Sequence, residues 1–290
     1  MGKIRKKQNQ AMEAIAALLT VHNRREQTLT CLDKLYAQSM PDDVKLDVFL
    51  VDDGSTDGTT QAVNNRFPKV HVIPADGSLY WNRGMHRAWK MASQTMDYDY
   101  YLWLNDDTIL FDNAISELIA LCQEYENRVI AVGATKASKT ETLTYGGRVG
   151  TKVVPCDGNH HEVERFNGNI ALVPKSVFHI LGNLDYYYTH SKGDFDYGIR
   201  AQKQGIKMYQ CGVVLGICDE HERIDSWCDP EIPLSKRWSL MLQPNGMPPD
   251  ETFYYEKQMN VLMAAVHFIT VPLRCLFPKL WIRLKANPAR

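Results

Sequence analysis

The residues best placed to do chemistry are Asp106 and Asp107, which close the stretch YYLWLNDDT from Tyr100 to Thr108. A short apolar run, Tyr101, Leu102, Trp103 and Leu104, stops abruptly at Asn105. Aromatic and branched residues over that length favour a buried strand over a helix. Carboxylates at the C-terminal end of a strand sit where open α/β sheets place their ligands. Hard oxygen donors suit Mg²⁺ or Mn²⁺, which bind through one or two carboxylates together with substrate phosphates. Adjacent strand residues point to opposite faces, so both carboxylates reach one ion only if the chain turns there. An ordinary Asx turn or helix N-cap uses the same residue types, and both readings stay open at this level.

A second acidic group lies in KGDFDYGIR, Lys192 to Arg200. A helix starting near Asp194 puts Asp196 and Arg200 four residues apart on one face, within pairing reach. Asp194 then sits at the N-terminal end, where the dipole and free N–H groups keep a carboxylate ionised. That placement suits a general base acting on a hydroxyl. The alternative is a capping residue beside a surface salt bridge.

These groups need a scaffold, and the chain alternates strand and helix patterns ahead of them. Ile15–Val21 reads as a strand ending in His22-Asn23-Arg24, and Thr28–Gln38 has helical periodicity. Leu46–Val51 is a second strand, closed by Asp52-Asp53-Gly54-Ser55-Thr56-Asp57-Gly58, with a helix opening near Thr59 or Thr60. Val70–Ile73 is a third short strand, and Leu79–Met91 a helix. After the central motif come a helix over Asn113–Cys122 and a strand over Val129–Gly133. Residues 136–168 are polar and Gly-bearing, and their pair His160-His161 reads as solvated. Phe166–Val173 leads into a helix opened by Pro174, and Lys207–Ile217 is the last core strand. The alternation predicts an α/β fold with a parallel sheet and right-handed crossovers. No G-x-G-x-x-G follows the first strand, which argues against a dehydrogenase-type dinucleotide site.

Composition excludes several classes. A chain of 290 residues buries a large core, in one big domain or two small ones. A net charge of −1 with 23% charged residues argues against nucleic acid as a partner. The seven cysteines (31, 122, 156, 211, 218, 228 and 275) form no CxxC pair, which points to reduced cytosolic thiols. The opening MGKIRKKQNQ reads as no signal peptide, and no repeat or low-complexity segment is evident.

VDDGSTDGT after the second strand, GSLYWNRGM after the third and LNDDT after the fourth together resemble the family-2 glycosyltransferases of the GT-A fold. The likeness is nearest to the branch that builds bacterial surface polysaccharides, including rhamnosyl- and galactofuranosyl-transferases, and it spans roughly residues 13 to 225. It implies a GT-A domain over residues 1–225 with an extension over 226–290. It also implies metal-dependent, inverting transfer of a sugar from a nucleotide-sugar donor, UDP- or dTDP-linked, to a glycan or lipid-linked saccharide acceptor. By the same resemblance Asp52 or Asp53 lies beside the base, where a carboxylate accepts the imide N–H of uracil or thymine. Asn82 and Arg83 face the donor, and the guanidinium fork fits diphosphate oxygens. Asp107 becomes the direct ligand of Mn²⁺ or Mg²⁺, Asp106 lies near the sugar or ribose, and His221 supplies an imidazole to the metal or diphosphate. Asp194 aligns with the base and Asp196 with an orienting residue, although Gly193 stands where the family carries Glu. Trp227 either stacks on an acceptor sugar or is buried.

The tail, Met259–Phe277, is apolar but interrupted by His267, Pro272 and Arg274. With Lys279, Arg283 and Lys285 nearby, it reads either as an amphipathic segment on an anionic leaflet or as a helix packed on the core. The implied location is cytoplasmic, free or peripheral on the inner face of the membrane. Two rivals remain: a sugar-nucleotide pyrophosphorylase, which needs a Gly-rich basic loop where Val21-His22-Asn23-Arg24 stands, and a non-catalytic glycan-binding relative.

Overall fold

The computed structural model describes residues 13–40, 44–220 and 226–285. Its first part alternates β1 (Glu13–Val21), α1 (Arg25–Tyr36), β2 (Val44–Asp52), α2 (Thr59–Arg66), β3 (His71–Pro74), α3 (Tyr80–Thr95) and β4 (Tyr100–Leu104). A short β5 (Ile109–Leu110) and α4 (Ala114–Glu124) lead to β6 (Ile130–Lys136). Short strands follow: β7 (Gly147–Val149), β8 (Lys152–Val153), β9 (His161–Glu162) and β10 (Arg165–Phe166). Then come β11 (Ile170–Pro174), α5 (Lys175–Leu181), α6 (Gly193–Lys203) and β12 (Met208–Ile217). A 3-10 turn (Ser226–Cys228) precedes α7 (Leu234–Leu242), α8 (Pro249–Glu256), α9 (Val261–Leu276) and α10 (Pro278–Lys285).

Among the described residues the main sheet has nine strands, ordered β3-β2-β1-β4-β11-β6-β12-β5, with β9 against β12. The strands β1 to β4 run parallel, as their helical crossovers require. In contrast to a wholly parallel sheet, β11 is antiparallel to both β4 and β6. A parallel neighbour needs a long crossover, usually a helix. Strand β11 instead arrives from residues 137–168, which contain no helix. That polar stretch, which reads as loop, folds into a second sheet ordered β10-β7-β8. Its strands are two or three residues long, too short for alternation to show.

Both faces of the main sheet are covered, which is why its strands read as near-continuous apolar runs. Ile15, Leu19, Leu50 and Leu102 pack with Cys31, Leu32 and Leu35 of α1 and with Ile115 and Leu118 of α4. On the other face Leu18, Phe49 and Trp103 meet Met85, Ala88 and Trp89 of α3 and Tyr197 of α6. Trp89 centres this layer, with the rings of Tyr101, Trp103, Phe178 and Tyr197 at 5.1 to 5.5 Å. Such aromatic contacts are geometrically selective, so they set the position of α3 and of the loop leading into it. Gly84 completes that fit, since a Cβ there would lie 2.2 Å from Thr20 Oγ1 of β1.

The C-terminal helices divide between the two readings of the tail. Tyr255 of α8 packs with Tyr188 and with Ile199 of α6. Helix α9 buries Ala264, Val271 and Cys275, while Leu262 and Ile269 are 75% and 61% exposed. No helix among the described residues is long and apolar enough to cross a membrane. All seven cysteines are free thiols.

Candidate active site

After Leu104 the chain turns, with the Thr108 N–H donating to the Asn105 carbonyl at 3.1 Å. This turn brings adjacent carboxylates to one point. Arg24 Nη1 lies 3.2 Å from Asp106 Oδ1 and 2.7 Å from Asp107 Oδ2. A single cationic nitrogen therefore touches both groups, which meets the requirement that two neighbouring residues reach one cation. Asp106 is almost fully buried; burial pushes its pKa up to about 7, with Arg24 pulling it down and Asp107 adding to the rise. The Cys218 thiol donates to Asp107 Oδ1 at 3.6 Å. Asn105 turns the other way, its Oδ1 accepting from Trp81 Nε1 at 2.7 Å. Two hard, converging carboxylates suit Mg²⁺ or Mn²⁺ with further oxygens from a phosphate. Among the described residues no group of three or more His, Cys, Asp or Glu gathers to hold a metal. His221 lies outside the described residues.

The loop after β2 separates its two carboxylates by role. Asp53 Oδ1 accepts the N–H groups of Gly77 at 3.0 Å and Leu79 at 3.2 Å, while Oδ2 accepts those of Leu79 at 3.0 Å and Tyr80 at 2.7 Å. It is thus a clamp that fixes the start of α3, including Tyr80 with its left-handed φ of 56°. Of the pair expected beside the base, Asp53 thus has both carboxylate oxygens engaged by backbone N–H groups. Asp52 accepts from the Ser55 N–H at 2.8 Å and from the Thr60 hydroxyl, which leaves acceptor capacity on the carboxylate. Where the two loops meet only glycine fits: a Cβ on Gly54 would lie 2.7 Å from the Gly77 nitrogen.

Asn82 and Arg83, the residues expected to face the donor, hold backbone carbonyls of the 185–189 loop. The buried Asn82 amide donates to the carbonyls of Asp185 at 2.8 Å and Tyr188 at 2.6 Å. Arg83 donates to those of Tyr186 at 3.1 Å and Tyr187 at 3.3 Å, and its guanidinium lies 5.1 Å over the Tyr186 ring. Both side chains grip the 185–189 loop.

Asp194 is the second residue of α6, after Lys192, which starts the helix with φ 74°. Its Oδ2 accepts the Gly168 N–H at 3.0 Å and its Oδ1 the Phe195 N–H at 2.8 Å. Against those donors, burial pushes its pKa up to about 6. The helix end does not hold this carboxyl low, because desolvation outweighs it. Gly168 also abuts Trp81, with a Cβ there falling 2.6 Å from Trp81 Cζ2. Through Gly168 and Trp81, Asp194 is joined to the Asn105-Asp106-Asp107 turn.

Asp196 does pair with Arg200, at 2.9 Å. Its carboxylate is 1% exposed and also accepts from the Tyr188 hydroxyl at 3.2 Å and Gln258 Nε2 at 2.5 Å. It is a buried strut between α6, the 185–189 loop and the C-terminal helices, not a group facing a substrate. Trp227 packs with Met241, Val271 and Cys275, so its ring is covered and does not offer a stacking face. Gly193 has a physical reason to stand where the family carries Glu: a Cβ would lie 1.8 Å from Asn82 Oδ1.

Two residues at the site, Arg24 and Trp81, stand in the sequence reading only as members of longer stretches and not as candidates. Arg24 follows β1, and only the adjacency of β1 and β4 in the sheet reveals that it reaches the acidic turn. Trp81 carries a weak signal, standing one residue before Asn82 in the family-like motif. The two histidines of 160–161 take separate partners: His161 Nε2 lies 2.9 Å from Asp157 Oδ1, and His160 Nδ1 accepts the Gly212 N–H at 3.2 Å.

The model of the family described as Glycosyl transferase family 2 matches residues 17–178, more than half of the chain. No curated protein matches the sequence. Among solved structures the chain is similar to the mannosyltransferase PcManGT of Pyrobaculum calidifontis in complex with GDP-Man and Mn²⁺, with TM-score 0.56 and 14% identity over 95% of this chain and 76% of that one. It is similar to S. aureus TarS 1-349 in complex with UDP, with TM-score 0.53 and 14% identity over 85% and 71% of the two chains. GalNAc-T7 with UDP, GalNAc and Mn²⁺ gives TM-score 0.53 and 11% identity over 71% and 43%. These likenesses show the GT-A fold, and the family match carries the assignment: the chain belongs to glycosyl transferase family 2 and is a glycosyltransferase.

Proposed function

We propose that the chain transfers a sugar, with inversion, from a UDP- or dTDP-linked donor to a hydroxyl of a glycan or lipid-linked saccharide in surface polysaccharide synthesis. The observation that carries this reading is the convergence of Asp106 and Asp107 on one cation, joined through Trp81 and Gly168 to Asp194. Asp107 and Asp106 would hold Mn²⁺ or Mg²⁺, and the ion would supply positive charge against the departing diphosphate. Arg24 can give its guanidinium to the same phosphate oxygens, for which its fork geometry is suited. Asp52 has the acceptor capacity to take the imide N–H of a pyrimidine. Asp194 takes the proton of the acceptor hydroxyl as that oxygen attacks the anomeric carbon, and its raised pKa brings its basicity closer to neutral pH. One base and one displacement give inversion. The GDP-Man, UDP and Mn²⁺ carried by the solved relatives support a nucleotide donor and a divalent ion.

The reading extends to the membrane through residues 226–290. Leu262, Val266, Ile269 and Leu273 of α9 are exposed at spacings of three and four that place them along one stripe, and Phe277 and Leu280 beyond its end are exposed as well. Arg274, Lys279 and Arg283 flank it. An apolar stripe bordered by cations supports peripheral binding to an anionic leaflet, where a lipid-linked acceptor is presented. A hydrolysis and calorimetry screen of UDP-, dTDP- and GDP-sugars, with and without Mn²⁺, tests the core of the proposal. Mn²⁺-dependent binding that ranks UDP or dTDP first is expected. A purine nucleotide in first place would remove Asp52 from base recognition, and no nucleotide binding at all would overturn the reading.

A further inference from the structure

A cleft of about 640 Å³ opens between the first turn of α3, the 185–189 loop and helices α7 and α8. Its walls include Arg83, Asp185, Tyr186, Tyr187, Glu251 and Tyr254. We infer that this cleft is a binding pocket for a neutral, hydroxyl-rich sugar ring, and that it holds the acceptor saccharide. The inference rests on the transferase reading above for the identity of the bound ring as acceptor.

The aromatic walls are exposed yet fixed. Tyr186 and Tyr187 are 49% and 42% exposed. Tyr187 stacks on Tyr254 at 4.0 Å, and Tyr186 is held by Arg83 over its ring at 5.1 Å and by an edge contact with His86 at 5.1 Å. Exposed rings held this way present apolar faces at little further ordering cost, which suits the C–H face of a sugar. The polar groups match the other side of such a ring. Glu251 is 6% exposed; its Oε1 accepts the Thr189 N–H at 3.0 Å, while its Oε2 has no hydrogen-bond partner. A buried carboxylate oxygen without a donor is costly, and a ligand hydroxyl is the donor it lacks.

Charge argues against a second nucleotide site. Among the residues that line the cleft, the carboxylates Asp185, Asp250 and Glu251 outnumber the cation Arg83, with Lys192 and Lys257 behind the lining, so the exposed wall offers acceptors to a polyol more than cations to a phosphate. Position ties the cleft to the chemistry. Arg83 follows Trp81 by two residues, and the 185–189 wall continues through Lys192 into α6, where Asp194 is the second residue. One wall of the cleft thus runs on in the chain to the helix that carries the proposed base, and Asn82 binds that wall to α3 through the carbonyls of Asp185 and Tyr188.

Saturation-transfer NMR of the full chain with the methyl glycosides of glucose, galactose, rhamnose and N-acetylglucosamine, at millimolar concentration, reads the pocket directly. At least one glycoside is expected to receive saturation at its ring C–H protons. Tyr187→Ala, an exposed position, and Glu251→Gln, which keeps the acceptor for Thr189, should each weaken that binding about tenfold. UDP affinity by calorimetry should stay within about twofold in both variants. Silence from every glycoside, binding unaltered by both variants, or preferential binding of tetramethylammonium would each overturn the assignment. Nucleotide-sugar hydrolysis by the wild-type chain separates the two levels. Hydrolysis with silent glycosides refutes the cleft alone, whereas glycoside binding without nucleotide binding refutes its role as an acceptor site.

Discussion

Replacing Asp194 by Asn should lower turnover and make the variant's stability relative to wild type rise with pH. Burial holds the folded carboxyl at about 6, against about 4 for an unfolded Asp. The folded chain therefore binds this proton more tightly than the unfolded chain. Wild-type stability from this group is full below about pH 4 and is lost as pH rises through about 6. At about 1.4 kcal/mol per pH unit, the ionised form costs up to about 3 kcal/mol. Asn is neutral throughout, and it keeps only one of the two acceptors used by the Gly168 and Phe195 N–H groups. Losing the other is a pH-independent cost of about 1 to 3 kcal/mol. The difference in unfolding free energy between variant and wild type should then move by about 2 to 3 kcal/mol in the variant's favour between about pH 4 and about pH 7.5. Urea unfolding at the two pH values reads this shift. At about pH 7.5, where the wild-type carboxylate is ionised, transfer by the variant should be lower by a factor on the order of 10² to 10⁴, in kcat and kcat/KM together. A stability difference that does not change with pH would refute the account of a desolvated carboxyl. Near-normal transfer by the variant would move the base elsewhere.

Asp107→Asn should abolish Mn²⁺-dependent binding of UDP or dTDP while thermal unfolding stays close to wild type; unaltered Mn²⁺-dependent affinity in calorimetry would remove Asp107 from the metal site. Gly193→Ala drives a methyl group into Asn82 Oδ1, and overpacking of this kind should cost roughly 1 to 3 kcal/mol in denaturant unfolding. An unshifted midpoint would show that the α3–α6 contact yields freely. Leu262→Asp combined with Ile269→Asp alters two of the more exposed positions of α9 and should release the chain from anionic vesicles in co-sedimentation without impairing nucleotide-sugar hydrolysis. Retained vesicle binding would place the membrane contact on another surface.

The parallel half of the fold is legible because β1, β2 and β4 are near-continuous apolar runs that stop at Asn and Asp residues. Local pattern carries that information without reference to any partner. What the pattern does not carry is lateral order. Nothing in residues 170–174 announces that β11 enters antiparallel between β4 and β6, and nothing near Arg24 announces that β1 lies beside β4. The site divides along the same line. Asp106, Asp107 and Asp194 stand at element ends, where local reading is strong. The tasks of Asp53, Asn82, Arg83 and Asp196 are set by partners 4 to 106 residues away in sequence, including Arg200 for Asp196 and the Tyr188 carbonyl for Asn82. A carboxylate's type says that it will accept hydrogen bonds, but only the fold says from whom.

The order of strands also bears on how the chain is made. The first 104 residues contain β3, β2, β1 and β4 as consecutive neighbours, so this layer can pair as soon as it leaves the ribosome. Strand β6 has no such neighbour, since its partners β11 and β12 both lie downstream. Roughly 35 residues separate Lys136 from Ile170, which at 5 to 20 residues per second leaves Ala131 and Val132 without strand partners for roughly 2 to 7 seconds. Helix α4, already synthesised and packed against β6 in the finished chain, is the element available to shield it during that interval. Chaperone dependence during synthesis should therefore concentrate in the window that opens with β6 and closes when β11 slides between it and β4.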